Sequence, residues 1–441
     1  MDALLYTLGA FGLILILARL KLPLWAAIMC GAVTIGVLFR FSIGVIAIEM
    51  LKSAIQPKSI ALSVIVAVLI GVSEAMRASG QIEDIVSLAR AFLRRPAIAM
   101  AALPALIGLL PMPGGALFSA PMVESAKGDT KIGGDRLSAV NFWYRHIWEY
   151  WWPLYPGVIL AVMITGGDFV SFILFQFPLT IIMAGAGLLI LRKLHPDLHI
   201  AAPAAPRGTL RLLIRATSSI WVIVAVWVAV KVVLAFSLSH FIRGRSGGIG
   251  PIESNPTLVA LDSYAPIALG LIVSLIWTIR MNRLDATKVR RALINKRVIE
   301  MMVLVISVMM FEGMLEYTDA TVKIRDGLTQ LNVPILVVLA ILPFIAGLVT
   351  GLAVGFVGTS FPIVMGLIAA MDSGRVIWPY VMFAYFFGHM GQMVSPMHLC
   401  YILSNRYFGT TFARVYRHII PSVIVASIAA MGYFVALKAI F

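Results

Sequence analysis

The chain has 441 residues, 61% of them hydrophobic and only 12% charged, about half the roughly 25% usual in soluble domains. Its mean hydropathy is +0.97, which excludes an ordinary soluble globular domain. The net charge of +15 sits in short segments between apolar runs, which is a membrane pattern and not a nucleic-acid-binding one.

Apolar runs long enough to cross a bilayer predict ten spanning helices, at 3–18, 23–39, 59–76, 139–165, 169–191, 213–236, 264–280, 298–316, 379–403 and 419–438. Two further segments, 97–126 and 334–371, carry a Gly/Pro break too early for two full crossings and read as re-entrant hairpins. Residues 40–58 and 77–95 read as interfacial helices, with 320–333 as another. The N-terminus, M-D-A-L-L-Y, lacks the basic start of a cleaved signal peptide. Cys30 and Cys400 lie in apolar spans and point to neither a disulfide nor a metal.

Charge sets the expected orientation. With 192–212 and 281–297 in the cytoplasm, 24 of the 35 Lys and Arg fall on the inside and nine outside, as the positive-inside rule requires. Both termini then face outward, in a prokaryotic inner membrane. On this threading, residues 1–191 and 213–441 each hold five helices and one hairpin in opposite orientation, joined by a cytoplasmic linker at 192–212. That is an inverted-topology repeat, the plan of many secondary transporters.

The motifs repeat with the topology. L-P-M-P-G-G-A-L-F-S-A-P-M (Leu110 to Met122) is followed by R-H-I-W-E-Y-W-W-P-L-Y-P-G (Arg145 to Gly157). G-L-A-V-G-F-V-G-T-S-F-P-I (Gly351 to Ile363) is followed by G-H-M-G-Q-M-V-S-P-M-H-L (Gly388 to Leu399). His146 and Pro153 are seven residues apart, as are His389 and Pro396. Backbone that leaves the helix at membrane depth must be buried in protein or line a wet cavity. The breaks at Pro111–Gly115 and Gly355–Pro362 therefore predict a central cavity, with Pro113, Pro153, Pro362 and Pro396 as helix breakers. Half-helix ends bind anions through free N–H groups. Gly114, Gly115, Ser119, Asn141, Gly358, Thr359, Ser360, His389, Gln392 and Ser395 are the expected substrate contacts. The competing reading of the glycines is tight helix packing.

Glu149 lies one turn from His146 on the same helix face. Ionisable groups at membrane depth are functional candidates, so Glu149 and His146 are expected to carry the coupling proton. Gln392, the counterpart of Glu149, cannot titrate. Arg145 is expected to snorkel or to meet an anionic substrate. Glu312 and Glu316 are expected to face water, and Trp143, Trp148, Trp151 and Trp152 form either an interface belt or packing around the site. A His146-x-x-Glu149 half-site would suit an intramembrane enzyme, but no third metal ligand is evident at metal spacing.

The strings P-M-P-G-G-A-L-F-S-A-P-M, R-H-I-W-E-Y-W-W-P-L-Y-P-G and G-H-M-G-Q-M-V-S-P-M-H-L-C resemble the prokaryotic membrane family catalogued as domain of unknown function 401. That family is grouped with the ion-transporter superfamily, beside gluconate, dicarboxylate, citrate and arsenite carriers. The resemblance implies a two-hairpin inverted repeat, a homodimer and elevator-type movement. The Ser-Asn-Thr signatures of dicarboxylate carriers are replaced here by Ala-Leu-Phe-Ser and Val-Gly-Thr-Ser-Phe. The expectation is thus an all-α polytopic membrane protein and not an enzyme, needing no cofactor or metal. It would be a secondary transporter of a small organic anion driven by protons, with sodium as the other candidate coupling ion. A cation/proton antiporter is the alternative reading, with a channel or an intramembrane enzyme further off.

Overall fold

The computed structural model describes residues 2–90, 96–109, 115–127, 131–166, 169–192, 208–243, 256–320, 322–324, 326, 334–369, 371 and 376–441. These form helices and short links, with no strand among the described residues. The first half comprises α1 (Asp2–Arg19), α2 (Leu24–Leu38), α3 (Ile43–Ile55), α4 (Pro57–Ala78), α5 (Gln81–Arg90), α6 (Pro96–Gly108), α7 (Ala116–Ala126), α8 (Gly134–Arg145), α9 (Pro156–Ile164) and α10 (Phe169–Leu191). The second comprises α11 (Thr209–Ala216), α12 (Ser218–Arg243), α13 (Pro256–Met281), α14 (Ala286–Leu293), α15 (Lys296–Tyr317), α16 (Ile335–Thr350), α17 (Ala353–Ala369), α18 (Trp378–Met393), α19 (Leu399–Tyr407) and α20 (Phe412–Ile440).

Local chemistry explains many of the boundaries. α1 is an apolar run with Asp2 in its first turn and Arg19 in its last, both complementing the helix dipole. Ser42 caps α3 by accepting from Val45 N–H, and Asp285 caps α14 through Lys288 N–H at 2.8 Å. Asn295 caps α15 by accepting from Arg297 and Val298, both at 3.0 Å. α16 stops at Gly351, whose φ of +64° suits glycine and disfavours side chains.

Five described helices are long and apolar enough to cross a membrane: Pro57–Ala78, Phe169–Leu191, Tyr264–Met281, Ala286–Tyr317 and Phe412–Ile440. The bent pair α11–α12 makes a sixth. The predicted spans 139–165 and 379–403 are each two helices, α8 with α9 and α18 with α19, separated by broken backbone at 146–155 and 394–398. The predicted interfacial helices correspond to α3 and α5, while most of 320–333 lies outside the described residues.

The second hairpin differs from expectation in one respect. Its turn falls at Gly351 and Leu352, and α17 runs unbroken through Gly355, Gly358 and Pro362. Pro362 removes only its own N–H and is carried inside the helix, because α17 is packed along its length against α9, α16, α18 and α15. In the first predicted hairpin, the expected break residues Pro111, Met112, Pro113 and Gly114 lie outside the described residues, as does most of the predicted linker at 192–212.

Packing divides the molecule into two blocks. In one, α6 packs on α7 and α8, and α16 on α17 and α18. Across the block α7 meets α19, α17 meets α9, and α10 meets α20. In the other block α2 meets α15, α13 meets α4, and α4 meets α15. Several helices approach backbone to backbone. A Cβ on Gly391 would run into the Phe344 carbonyl of α16, and one on Gly347 into the Gly388 carbonyl of α18. Gly391→Leu is therefore expected to cost about 1–3 kcal/mol, the usual price of overpacking. It should lower the thermal unfolding midpoint of the detergent-purified protein, whereas Gly9→Leu, which opens onto free space, should leave it unchanged.

Candidate functional site

The two helix breaks face one another and are closed by side chains. A helix that stops leaves its last carbonyls without backbone donors, and a buried acceptor cannot be left unpaired cheaply. At the end of α8, His146 N–H turns to Trp143 O. The Phe142 carbonyl, which a continuing helix would have paired with that N–H, is met by His146 Nδ1 at 2.6 Å. At the end of α18, the Gln392 carbonyl accepts from Ser395 N–H at 3.1 Å and is also met by His398 Nδ1 at 3.3 Å. Ser395 Oγ donates to Leu348 O at 2.6 Å, closing the end of α16. The end of α6 is closed by the tryptophan tract: Trp148 Nε1 donates to Ala105 O at 2.8 Å, Trp152 Nε1 to Leu109 O at 2.9 Å, and Tyr155 OH to Gly108 O. Trp143 and Trp151 likewise donate to Met183 O and Thr180 Oγ1. The tract therefore packs the site and is not an interface belt.

Between the breaks and the other block lies a cavity of about 400 Å³. Arg145, His146 and Glu149 line it from the first break, and Gln392, His398 and Cys400 from the second. Thr350 and Leu352 bring the tip of the second hairpin to its wall. The opposite wall belongs to α4 and α15 and includes Arg297, which is paired with Glu74 at 2.9 Å.

Glu149 is the hub. Its Oε2 accepts from Gln392 Nε2 at 2.7 Å. His146 Nε2 stands 3.8 Å from Oε1, and His389 Nδ1 3.9 Å from Oε2. Tyr385 OH donates to the Glu149 carbonyl at 2.8 Å. His389 is fully buried against the Tyr150 ring, 4.4 Å between centroids, and neither of its ring nitrogens has a hydrogen-bond partner among the described residues. The predicted pairs His146/Glu149 and His389/Gln392 thus converge on one carboxylate.

Other predicted contacts sit elsewhere. Thr359 Oγ1 donates to Gly355 O at 2.7 Å and Ser360 Oγ to Phe356 O at 2.6 Å, both hydroxyls bonded within their own helix. A Cβ on Gly358 would press on Val308, so that glycine serves packing of α17 on α15. Ser119 is buried within α7, facing its own carbonyls. Asn141 Nδ2 donates to Ser404 Oγ at 2.5 Å and to Ala116 O at 3.1 Å, tying α8 to α19 and α7. A Cβ on Gly115 would occupy the place of the Arg145 guanidinium, so its smallness admits an arginine. Arg145 is buried and does not snorkel. Pro153 and Pro396 lie within the breaks themselves. Glu312 is not simply facing water, since Lys58 Nζ pairs with it at 3.0 Å.

Sequence reasoning missed His398, Cys400 and Arg297. His398 and Cys400 stand two residues apart just past Pro396, but their proximity to His146 is a contact between the two halves of the chain.

The fold is that of an all-helical chain whose long apolar helices are consistent with a multi-pass membrane protein. The chain belongs to the family described as "Protein of unknown function (DUF401)", whose profile matches residues 3–241 and 252–436. No curated protein matches it.

Trp152→Phe removes the donor to Leu109 O and is expected to destabilise the purified protein by about 1 kcal/mol or more. Thr359→Val, which removes only a hydroxyl bonded within its own helix, is expected to change stability by less than about 0.5 kcal/mol. Paired thermal unfolding curves check both.

Proposed function

We propose that this protein is a secondary active transporter of a small organic anion, coupled to protons, working by elevator-type alternating access in a prokaryotic inner membrane. The observation that carries the reading is the cavity between the two broken helices. It is bounded by one hairpin tip, holds the buried Arg145 and has Arg297 on its far wall. With Arg297 already paired to Glu74, the buried Arg145 beside the single lining carboxylate, Glu149, is the cation that suits a carboxylate-bearing ligand.

The paired packing supports an inverted repeat of residues 1–191 and 213–441. Exchanging α6–α10 for α16–α20 maps the contacts of α7 with α19 onto those of α17 with α9. In the other block, exchanging α2 and α4 for α13 and α15 maps α2 on α15 onto α13 on α4. A block of hairpins and broken helices sliding against α4 and α15 would carry the cavity across the bilayer. The threading with both termini outside and the homodimer belong to the same reading.

Glu149 is assigned the coupling proton. It lines the cavity and is held by Gln392, with His146 and His389 within 4 Å. The cation/proton antiporter is favoured less. Its cation site would use carbonyls freed at the breaks, and those of Phe142, Gln392 and Leu348 are already bonded to His146, His398 and Ser395.

The test is uptake into proteoliposomes over a panel of mono- and dicarboxylates under imposed pH or sodium gradients. Glu149→Gln is expected to reduce pH-driven accumulation to background while leaving counterflow exchange partly intact. Normal accumulation by Glu149→Gln under a pH gradient would remove the proton role of Glu149. Sodium-driven, pH-independent uptake would replace protons by sodium.

A further inference from the structure

Three side chains on the cavity wall have the chemistry of a metal site. His146, His398 and Cys400 each offer one ligand atom, and those atoms lie within 4.8 Å of one another. All three are buried and all three line the cavity. The histidine rings stand edge to face, 4.6 Å between centroids.

The tautomers are set by the helix breaks. His146 uses Nδ1 on Phe142 O and His398 uses Nδ1 on Gln392 O. A carbonyl accepts and does not donate, so each Nδ1 carries the ring proton and each Nε2 keeps a free lone pair. Backbone carbonyls holding the distal N–H of metal-binding histidines are the usual outer support of such sites. The third group, the Cys400 thiol, has its Sγ within 4.8 Å of both histidine ligand atoms, with Arg145 on the same cavity wall.

We infer that His146, His398 and Cys400 form a three-ligand site for a divalent transition ion of the zinc class, with its fourth position open to the cavity. Two imidazoles and a thiolate select a borderline ion over magnesium or calcium, which take oxygen ligands. Bonds of about 2.0–2.3 Å to a tetrahedral ion place ligand atoms roughly 3.5 Å apart, so the cluster closes by about 1 Å on loading. Binding releases the Cys400 proton to solvent and forms two Zn–N bonds and one Zn–S bond. No oxidant or reductant is involved.

Three protein ligands with an open position are the arrangement of a site that accepts an exogenous oxygen. The Cys400 thiolate and the Glu149 carboxylate balance the ion, and Arg145 leaves the wall net positive. A carboxylate oxygen of the substrate is the ligand that suits the fourth position. That last step rests on the anion-transport reading, whereas the metal site itself does not. With the ion bound, His146 serves as a ligand and the proton role falls to Glu149 alone.

The experiment is a Co²⁺ titration of the full-length, untagged Cys30→Ser protein in detergent. Removing the exposed Cys30 leaves Cys400 as the one thiol. The expected result is about one Co²⁺ per chain, with tetrahedral d–d bands and a thiolate charge-transfer band in the near ultraviolet. Zn²⁺ should abolish both. Adding Cys400→Ser should remove the charge-transfer band. His398→Ala should weaken binding at least about 100-fold, beyond the roughly 10–100-fold that outer-shell partners command.

Absence of stoichiometric Co²⁺ binding, or binding without the thiolate band, overturns the site. A second readout needs no variant of a ligand: Zn²⁺ should protect Cys400 of the Cys30→Ser protein from maleimide alkylation. Equal labelling with and without Zn²⁺ overturns it too. Neither readout depends on transport, so failure of carboxylate uptake and failure of metal binding are separate results.

Discussion

The carbonyls at the ends where α8 and α18 stop set the terms for the rest of the molecule. A buried peptide carbonyl without a donor is costly, and these helix ends are enclosed by protein, with His146 at 1% exposure and His398 at 4%. The chain answers with side chains: two histidine rings, a serine, two tryptophans and a tyrosine, each donating to a helix end or hairpin end. A histidine that caps with one nitrogen keeps the other for chemistry. The same bonds that make a broken helix tolerable therefore aim two imidazoles into the cavity.

Close backbone approach is the second requirement. Gly347 and Gly391 let α16 and α18 touch, Gly388 admits the Phe356 ring of α17, and Gly108 lets α6 approach the Arg145 carbonyl. The space left between this block and the α4–α15 wall is the cavity. Its polar groups are concentrated at the breaks, while the hairpin tip contributes Thr350, Leu352, Ala353 and Val354. A ligand held there touches both halves of the chain at once.

Local features were legible in the sequence, and long-range ones were not. Pro396 clashes with the carbonyl four residues back, and α18 duly ends at Met393. Pro362 was read by the same rule as a break and is instead inside α17, as Pro104, Pro178 and Pro343 are inside their helices. Dense packing on several sides holds those helices together despite the lost N–H. A proline alone therefore does not decide whether a helix breaks. α8 stops earlier than Pro153 requires, because Trp148, Trp152 and Tyr155 are committed to the end of α6, a contact no local pattern reveals. His146, Glu149 and Gln392 were found because ionisable or polar groups stand out in apolar spans. His398 and Cys400 were not, because their significance lies in meeting His146 across the two halves. Thr359 and Ser360 read as hydroxyls offered beside a helix break, and in the continuous α17 both donate within their own helix.

The central claim is that the cavity between the breaks is exposed to each side of the membrane in turn. It is tested most directly by side-specific labelling. Thr350, on the cavity wall, is replaced by cysteine in a Cys30→Ser background that keeps Cys400, labelling is read as the increment over the Cys30→Ser parent, and the protein is placed in vesicles of known orientation. A membrane-impermeant maleimide is then applied from either face. The account predicts labelling at position 350 from both faces, each slowed by a transported carboxylate. Labelling from one face only, unaffected by any carboxylate, would contradict it.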